Sequence, residues 1–191
     1  MQKGTGVEQR RTRSEGTDHG LGRETLLSAS KDQLSLVLSF FPRVDAKLSV
    51  VLAIDTGVLA VLGADSPPLR NLTGSMIAPA VLAVLLLAGS IVFLYRGAFP
   101  NLEGGGHSLV FFREIARRTE HKFIEEFKHQ NGDEHANDVL GQVWRNSQIL
   151  TAKFAALKAA FILLAVAIAP WLAALLAFAV YNNPARSTLF H

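Results

Sequence analysis

The chain has 191 residues, a formal net charge of +3 and 49% hydrophobic residues, a length that suits a single domain. It contains no cysteine, which excludes a disulfide framework, a thiolate metal site and a cysteine nucleophile. The hydrophobic residues are gathered into blocks, and the charged residues lie mainly in the N-terminal part and the middle of the chain. This pattern favours a membrane protein over a water-soluble domain.

The N-terminal part is polar, and residues 1–27 are expected to form a disordered cytoplasmic tail because they have little to bury. The tail has no apolar signal-peptide segment, so insertion is expected to use the first spanning helix itself. Residues Ser30 to Gln33 match a capping box, which predicts that a helix opens there. Pro42 is then expected to kink the chain before it enters the membrane.

Three apolar stretches are predicted to span the membrane, at about 48–62, 77–95 and 159–181. The second has no charged residue over 19 positions and the third has none over 23. Because roughly 20 apolar residues cross a bilayer as a helix, we expect an all-α integral membrane protein with three transmembrane helices. The membrane effector domain is expected to cover residues 28–181, with a cytoplasmic helical segment at about 108–158 between spans two and three.

The distribution of Lys and Arg predicts the orientation. Eight lie before the first span and nine between Arg96 and Lys158, whereas the turn after span one and the C-terminal tail hold one each. Lys and Arg tend to remain on the cytoplasmic side. The N-terminus and the central segment are therefore expected to be cytoplasmic, and residues 182–191 to form an extracytoplasmic tail.

The first predicted span carries a carboxylate. Asp55 lies about 12 Å beyond Lys47 along the helix, which is near the middle of a bilayer. A charge there costs about 2.5 to 3.5 kcal/mol, so Asp55 is expected to face other helices or water rather than lipid. Two hydroxyls and two glycines of the span are expected to accompany it on packed surfaces: Ser49, Thr56, Gly57 and Gly63.

A long helix is predicted to start near Asp138, after a break at 131–138, and to run on into span three. One sector of it is polar, with Asp138, Gln142, Arg145, Asn146 and Lys153. This sector is either an ordinary solvated face or part of a latch or pore mouth in which Lys153 pairs with Asp45. The residues proposed for this membrane polar cluster are Asp45, Lys47, Asp55, Gln142, Asn146 and Lys153.

A second candidate site is a run of glycines that leads into a helix. Backbone N–H groups at such a point can bind phosphate, and arginines follow closely. The candidate ligand-binding residues are Gly104, Gly105, Gly106, His107, Ser108, Arg113 and Arg117. The alternative is a flexible linker, because neither a P-loop lysine nor a dinucleotide fingerprint is present.

Sites for metal and for catalysis are not expected. His121, Glu125 and His129 share one helix face but lack the metalloprotease spacing, so we interpret them as solvent-facing. The sequence has no arrangement that predicts a Ser-His-Asp triad or a pair of catalytic carboxylates. We therefore expect a protein that is not an enzyme and that needs neither metal nor cofactor.

Three segments resemble the transmembrane effector family of the bacterial Pycsar anti-phage systems. They are FPRVDAKLSVVLAIDTGVLAVLG at span one, SLVFFREIARRTEHKFIEEF after span two and DVLGQVWRNSQILTAKFAALKAAF before span three. The more specific parts are Asp45-Ala46-Lys47, Phe111-Phe112 and the run from Gln142 through Asn146 to Lys153. The resemblance covers about Leu36 to Pro170.

The resemblance implies a role in abortive infection. In this family a partner cyclase makes a cyclic pyrimidine mononucleotide (cCMP or cUMP) during infection, and the effector then compromises the bacterial inner membrane. The expected partners are the lipid bilayer, the nucleotide and further copies of the chain, and not nucleic acid. Because the segment between spans two and three is short, a nucleotide pocket is expected to be shared between helices or subunits.

Two other interpretations remain open on the sequence. The first is a small helical membrane protein that anchors another protein and has no activity of its own. The second is an ion-conducting or proton-conducting oligomer that uses Asp55.

Overall fold

A computed structural model describes residues 22, 24–99 and 106–182 of the chain. Each regular element in these ranges is helical. After helix α1 (24–38), the α-helices are α2 (Phe41–Ala64), α3 (Gly74–Ala98), α4 (Phe112–Ala116), α5 (Glu120–His129) and α6 (Gly132–Asn182), with a 3₁₀ turn at Leu69–Asn71. The all-helical fold class is therefore confirmed for the described part of the chain.

The chain divides into two compact units. The first, called the polar unit below, comprises Met1–Phe41 and Asn101–Ile149. The second, called the membrane unit, comprises Pro42–Pro100 and Leu150–His191. Helix α6 contributes its first part to the polar unit and the rest to the membrane unit.

The three predicted spans are confirmed as helices that are long and apolar enough to cross a membrane. Helices α2 and α3 have 24 and 25 residues, so each is several residues longer than the apolar stretch within it. The third span is the C-terminal part of the 51-residue α6. In the most apolar stretch of each spanning helix only 22% of the residues are buried, so most of each surface is left for lipid or another chain.

The beginning of the described chain differs from the prediction. Helix α1 begins before Ser30, at residue 24. The Ser30 hydroxyl donates to the Leu27 carbonyl of the same helix at 2.8 Å and does not cap a helix start. The expected capping box at Ser30 is therefore wrong. The helical path is broken at Ser39 and Phe40, and Pro42 lies in the first turn of α2, where its missing N–H costs no helical hydrogen bond.

Helix α6 starts earlier than expected because it has its own capping box. The Glu134 N–H donates to Asn131 Oδ1 at 2.8 Å, and the Asn131 N–H donates to Glu134 Oε2 at 3.1 Å. The break between α5 and α6 is thus confined to Gln130 and Asn131. The predicted start near Asp138 is wrong, whereas the continuous run into span three is confirmed.

The core of the membrane unit joins all three spanning helices. Near one end of the bundle α2 supplies Leu48 and Val51, and further along Leu62 packs with a second group of buried residues. The partners from α3 and α6 include Leu87, Leu94, Ala83, Ala160, Leu164, Ala174 and Phe178. The Trp171 indole also donates to the Val58 carbonyl at 3.1 Å, which ties α6 to α2.

The packed side of α2 differs from the predicted one. Its buried residues recur at helical spacing: Val44, Leu48, Val51, Asp55 and Leu62. Ser49 and Thr56 are exposed, and their hydroxyls donate to the carbonyls of Asp45 and Leu52, four residues back along the same helix. A hydroxyl can satisfy itself in this way within its own helix, so it does not need the bundle interior.

The close approaches use glycines of α3 rather than those of α2. A Cβ at Gly57 or Gly63 would meet no atom within 4 Å, so the predicted tight contacts there are absent. A Cβ at Gly97 would instead lie 3.0 Å from Ala156 Cβ, and one at Gly89 would lie 3.2 Å from Leu163 Cδ1. Small residues of α3 therefore bring it close to α6.

Candidate functional site

The deepest polar contact of the membrane unit joins its three helices at one point. Asp55 on α2 and Ser90 on α3 are both completely buried. The Ser90 Oγ lies 2.6 Å from Asp55 Oδ2 and 3.1 Å from the carbonyl oxygen of Ala160 on α6. The expectation that Asp55 faces other helices is confirmed. We call Asp55, Ser90 and the Ala160 carbonyl the deep seam.

The deep seam is short of hydrogen-bond donors. A serine hydroxyl carries one hydrogen, so Ser90 donates fully to either Asp55 or Ala160 and not to both. The other carboxyl oxygen, Asp55 Oδ1, is buried and has no hydrogen-bond partner among the described residues. A buried polar atom without a partner costs about 1 to 3 kcal/mol. The deep seam is therefore a costly feature of the helix bundle.

A second polar contact joins α2 and α6 through one residue of each helix. Lys153 Nζ donates to Asp45 Oδ1 at 2.6 Å, so the structure contains the pairing that the sequence offered as one of two alternatives. The Lys153 side chain is only 7% exposed, whereas that of Asp45 is 50% exposed. We call this contact the boundary pair. Along α2 it lies about 15 Å from Asp55, or ten residues.

The other residues of the predicted membrane polar cluster make separate contacts. Lys47 is exposed and lines a groove with residues of α6. Gln142 and Asn146 belong to the polar unit, where Gln142 Nε2 donates to Ser108 Oγ at 3.1 Å. Asn146 donates to the Gln142 carbonyl of its own helix at 2.8 Å. The functional role of these residues stays a prediction.

In the polar unit, side chains of α6 hold the segment that precedes α4. Asp138 Oδ2 accepts a hydrogen bond from the Leu109 N–H at 2.7 Å. Ser108 is buried, and its Oγ accepts from the N–H groups of Val110 and Phe111 as well as from Gln142. The polar sector predicted on α6 therefore serves, at Asp138 and Gln142, to position this segment.

Arg118 fixes the same segment from the other side. Its guanidinium donates to the carbonyls of His107 and Ser108 at 2.9 and 3.1 Å, and to Glu126 at 2.7 Å. The side chain is only 10% exposed. His107 has a positive φ of 68°, a conformation that costs free energy in a residue other than glycine. The contacts of Arg118 to the two carbonyls help to hold that conformation.

The candidate ligand-binding residues are thus placed in different environments. Gly104 and Gly105 lie outside the described residues, whereas Gly106, His107 and Ser108 lie in the segment that Arg118 holds. Arg113 and Arg117 are exposed, and Arg117 forms an ion pair with Glu114. Helix α4, which follows, has only five residues. Whether these residues bind a ligand stays a prediction.

The sequence reasoning missed two side chains that organise the molecule. Ser90 is the one polar residue of span two between Ser75 and Tyr95, and a lone hydroxyl opposite a membrane carboxylate is the signal that identifies it. Arg118 had no such signal, because only the fold brings His107, Ser108 and Glu126 around it.

The residues of α5 that the sequence predicts to face solvent are exposed, and two of them lie close together. His121 Nδ1 lies 3.9 Å from Glu125 Oε2, and both side chains are more than half exposed. Among the described residues no group of three or more His, Cys, Asp or Glu is placed to hold a metal ion.

The Arg145 Nε on α6 is buried and has no hydrogen-bond partner within the described part of the chain.

These features define a small helical membrane protein whose spanning helices meet at a buried carboxylate. Residues 29–180 match the family model of the Pycsar effector protein domain, PycTM. The match includes all of α2 and α3 and nearly all of α6. The chain therefore belongs to the Pycsar effector family, which assigns it to anti-phage defence, and with its spanning helices suggests an inner-membrane location.

Searches of the curated proteins and of the solved structures found no match.

Proposed function

We propose that this protein is an abortive-infection effector that disrupts the bacterial inner membrane when a cyclic pyrimidine mononucleotide, cCMP or cUMP, is made during infection. The family match over 29–180 is the observation that carries this proposal, because it covers the spanning helices and the segment between them. The protein acts through binding and rearrangement and catalyses no reaction of its own.

The membrane unit supplies an element that can change state. Its three helices bury a carboxyl group with one oxygen unpartnered, which leaves the resting bundle less stable than an apolar one of the same size. A modest bias can then favour another arrangement of the helices. The deep seam therefore supports a bundle that is packed as described at rest and that changes its helix packing on activation.

The nucleotide has to bind the two arrangements unequally to act as a trigger. Its phosphate carries one negative charge, and an arginine can donate two parallel hydrogen bonds to such a group. We propose Arg113 and Arg117 for this contact, with the backbone of Gly104–Ser108. Arg145, whose Nε is buried without a partner among the described residues, is a third candidate that the fold adds.

The proposed topology has a cytoplasmic N-terminus, a cytoplasmic polar unit and an extracytoplasmic C-terminus, in agreement with the distribution of Lys and Arg. We further propose that several copies act together. Three helices in one chain leave most of their surfaces exposed, so an opening through the membrane needs contacts between chains.

The test is dye release and membrane depolarisation in proteoliposomes that contain the purified protein. We expect cCMP or cUMP to trigger both, with cAMP as the matched control ligand. Replacing Arg117 by Gln should weaken the response, and Lys128→Gln, an exposed change that removes the same charge, should leave it unchanged. No response to any cyclic nucleotide would contradict the proposed trigger.

The two alternative functions predict different outcomes in the same vesicles. A protein that only anchors a partner would remain silent under every ligand. An ion-conducting oligomer would pass ions at rest, without nucleotide, and that flux would depend on Asp55. The buried position of Asp55 within the spanning helices is the observation that supports testing the ion-conducting oligomer.

A further inference from the structure

Helices α2 and α6 form an apolar groove of about 500 Å³ on the surface of the membrane unit. Its walls include Val50 from α2 and Phe154, Leu157 and Phe161 from α6. Two lysines, Lys47 and Lys158, line the same groove. We call it the lysine groove.

The two lysines carry charges that the described part of the chain does not neutralise. Both side chains belong to exposed residues, and neither forms an ion pair with a described carboxylate. The third lysine of this region, Lys153, differs because it is buried and bound to Asp45. No Asp or Glu is among the residues that line the lysine groove. Two like charges beside one groove repel each other unless an anion lies between them.

A second groove on the other side of α2 provides an internal comparison. It is lined by residues of α2 and α3, has a volume of about 290 Å³ and contains Asp45 but no lysine or arginine. The two grooves are both apolar, yet their charged residues have opposite sign. Lipid chains suit either groove, whereas an anionic headgroup suits the lysine groove alone.

We propose that the lysine groove is a binding site for one anionic phospholipid. The phosphate contacts the ammonium groups of Lys47 and Lys158, and an acyl chain lies along Val50, Leu157 and Phe161. Basic pockets between spanning helices commonly bind anionic headgroups in this way. Lysine stems near a helix end can reach toward the headgroup region while their carbon chains remain in the apolar layer.

The positions of the two lysines fit a lipid better than a soluble anion. Lys158 lies about 7.5 Å further along α6 than Lys153, on the side of the spanning segment. The groove between the lysines continues into aromatic and aliphatic side chains, which offer no hydrogen bonds to a free phosphate. A ligand that fills the groove therefore needs both an anionic group and a hydrocarbon chain.

The site is tested by native mass spectrometry of the full chain in detergent, with phosphatidylglycerol and phosphatidylcholine added in equal amounts. We expect one phosphatidylglycerol to remain bound per protomer after phosphatidylcholine has dissociated. The double variant Lys47→Gln/Lys158→Gln should bind phosphatidylglycerol about thirtyfold more weakly, from the usual contribution of two lysines near anionic lipid. Its affinity for phosphatidylcholine should be unchanged.

The matched control is Lys122→Gln/Lys128→Gln, which removes two positive charges from α5 of the polar unit. It should retain phosphatidylglycerol as the wild type does. A third variant, Val50→Trp, fills the groove without changing charge and should also lose the lipid. Circular dichroism should give wild-type helicity for all three.

Equal binding by the wild type and the Lys47→Gln/Lys158→Gln variant would overturn the site. Retention of the lipid by Val50→Trp would overturn the acyl-chain contact. Displacement by inorganic phosphate alone would mean that the groove recognises a free anion, and would also contradict the proposal. None of these measurements requires a cyclic nucleotide, so they are independent of the proposed trigger.

Discussion

The deep seam and the boundary pair are both polar contacts of α2, but they lie in different surroundings. The deep seam buries Asp55 completely against a hydroxyl and a carbonyl, with no charged partner. The boundary pair joins a carboxylate and an ammonium, and half of the Asp45 side chain is exposed. One contact is thus costly to bury, whereas the other is a charge pair whose ammonium is buried and whose carboxylate is half exposed.

This difference in burial suits the two contacts to different roles, one in setting helix register and one in setting the stability of the bundle. A partly exposed pair contributes little stability, about 0 to 1 kcal/mol, but helps to set the register of two helices. A buried carboxyl without a full set of partners lowers the stability of the arrangement that contains it. We therefore expect the deep seam to set the balance between resting and active bundles, and the boundary pair to adjust it.

The largest effect is expected from Asp55→Leu. Leucine removes an incompletely hydrogen-bonded polar group from the bundle interior and should stabilise the resting arrangement, by about 1 to 3 kcal/mol. Nucleotide-triggered cell killing should then fall at least about fivefold, since each 1.4 kcal/mol changes an equilibrium about tenfold. The measurement is survival of cells that co-express a cyclase, with membrane insertion checked by fractionation.

Asp55→Asn is the matched control for that change. Asparagine keeps a polar side chain of the same size beside Ser90, where its two N–H hydrogens and its carbonyl oxygen cannot all find partners, so most of the cost of the deep seam is kept. We expect killing close to the wild-type level. Wild-type killing by Asp55→Leu would show that the intramembrane carboxyl does not set the balance.

Ser90→Ala should act in the opposite direction. It leaves the Asp55 carboxyl without a hydroxyl partner, at a cost of about 1 to 3 kcal/mol, so the resting bundle should melt at a lower temperature in detergent. Some leakage should occur without nucleotide. Ser49→Ala and Thr56→Ala, exposed hydroxyls bonded within their own helix, should change stability by less than about 0.5 kcal/mol. An equal effect of all three would remove the distinction between packed and exposed sides of α2.

Breaking the boundary pair with Lys153→Ala is expected to have a smaller effect. Water or headgroups can reach the half-exposed Asp45 that remains, so we expect a coupling of up to about 1 kcal/mol in a double-mutant cycle with Asp45→Ala. The exchange Asp45→Lys/Lys153→Asp should recover part of it. A coupling well above that of Asp55 with Ser90 would reverse the proposed ranking.

The smallest expected effect is a difference between the two contacts in how their coupling free energies depend on salt concentration. Exposed charges are screened over about 10 Å at 0.1 M salt, whereas buried groups are screened much less. Raising the salt from about 0.05 to about 0.5 M should reduce the coupling of Asp45 with Lys153 and leave that of Asp55 with Ser90 unchanged. Equal salt dependence of the two couplings would show that solvent reaches both sites.

The sequence alone predicted the helical class, the three spans and the family, because long uncharged stretches can be stable in only a few ways in a bilayer. It also predicted that Asp55 faces inward, and it offered the pairing of Asp45 with Lys153 as one of two alternatives. The first result follows from the free-energy cost of a carboxylate in lipid, because that cost restricts it to the bundle interior or to a water-filled cavity. Complementary charge at matching helix positions explains the second.

The tertiary structure decided which partners the inward residues have. The sequence marked Ser90 as a lone hydroxyl of span two, but the packed helices show that it meets Asp55 and the Ala160 carbonyl. Nothing in the sequence identified Arg118 as the organiser of the segment before α4, because that role depends on residues distant in the chain. The sequence also placed Ser49 and Thr56 on the wrong side of α2. Hydropathy states how much a side chain costs in lipid, whereas only the packed helices determine which neighbour relieves that cost.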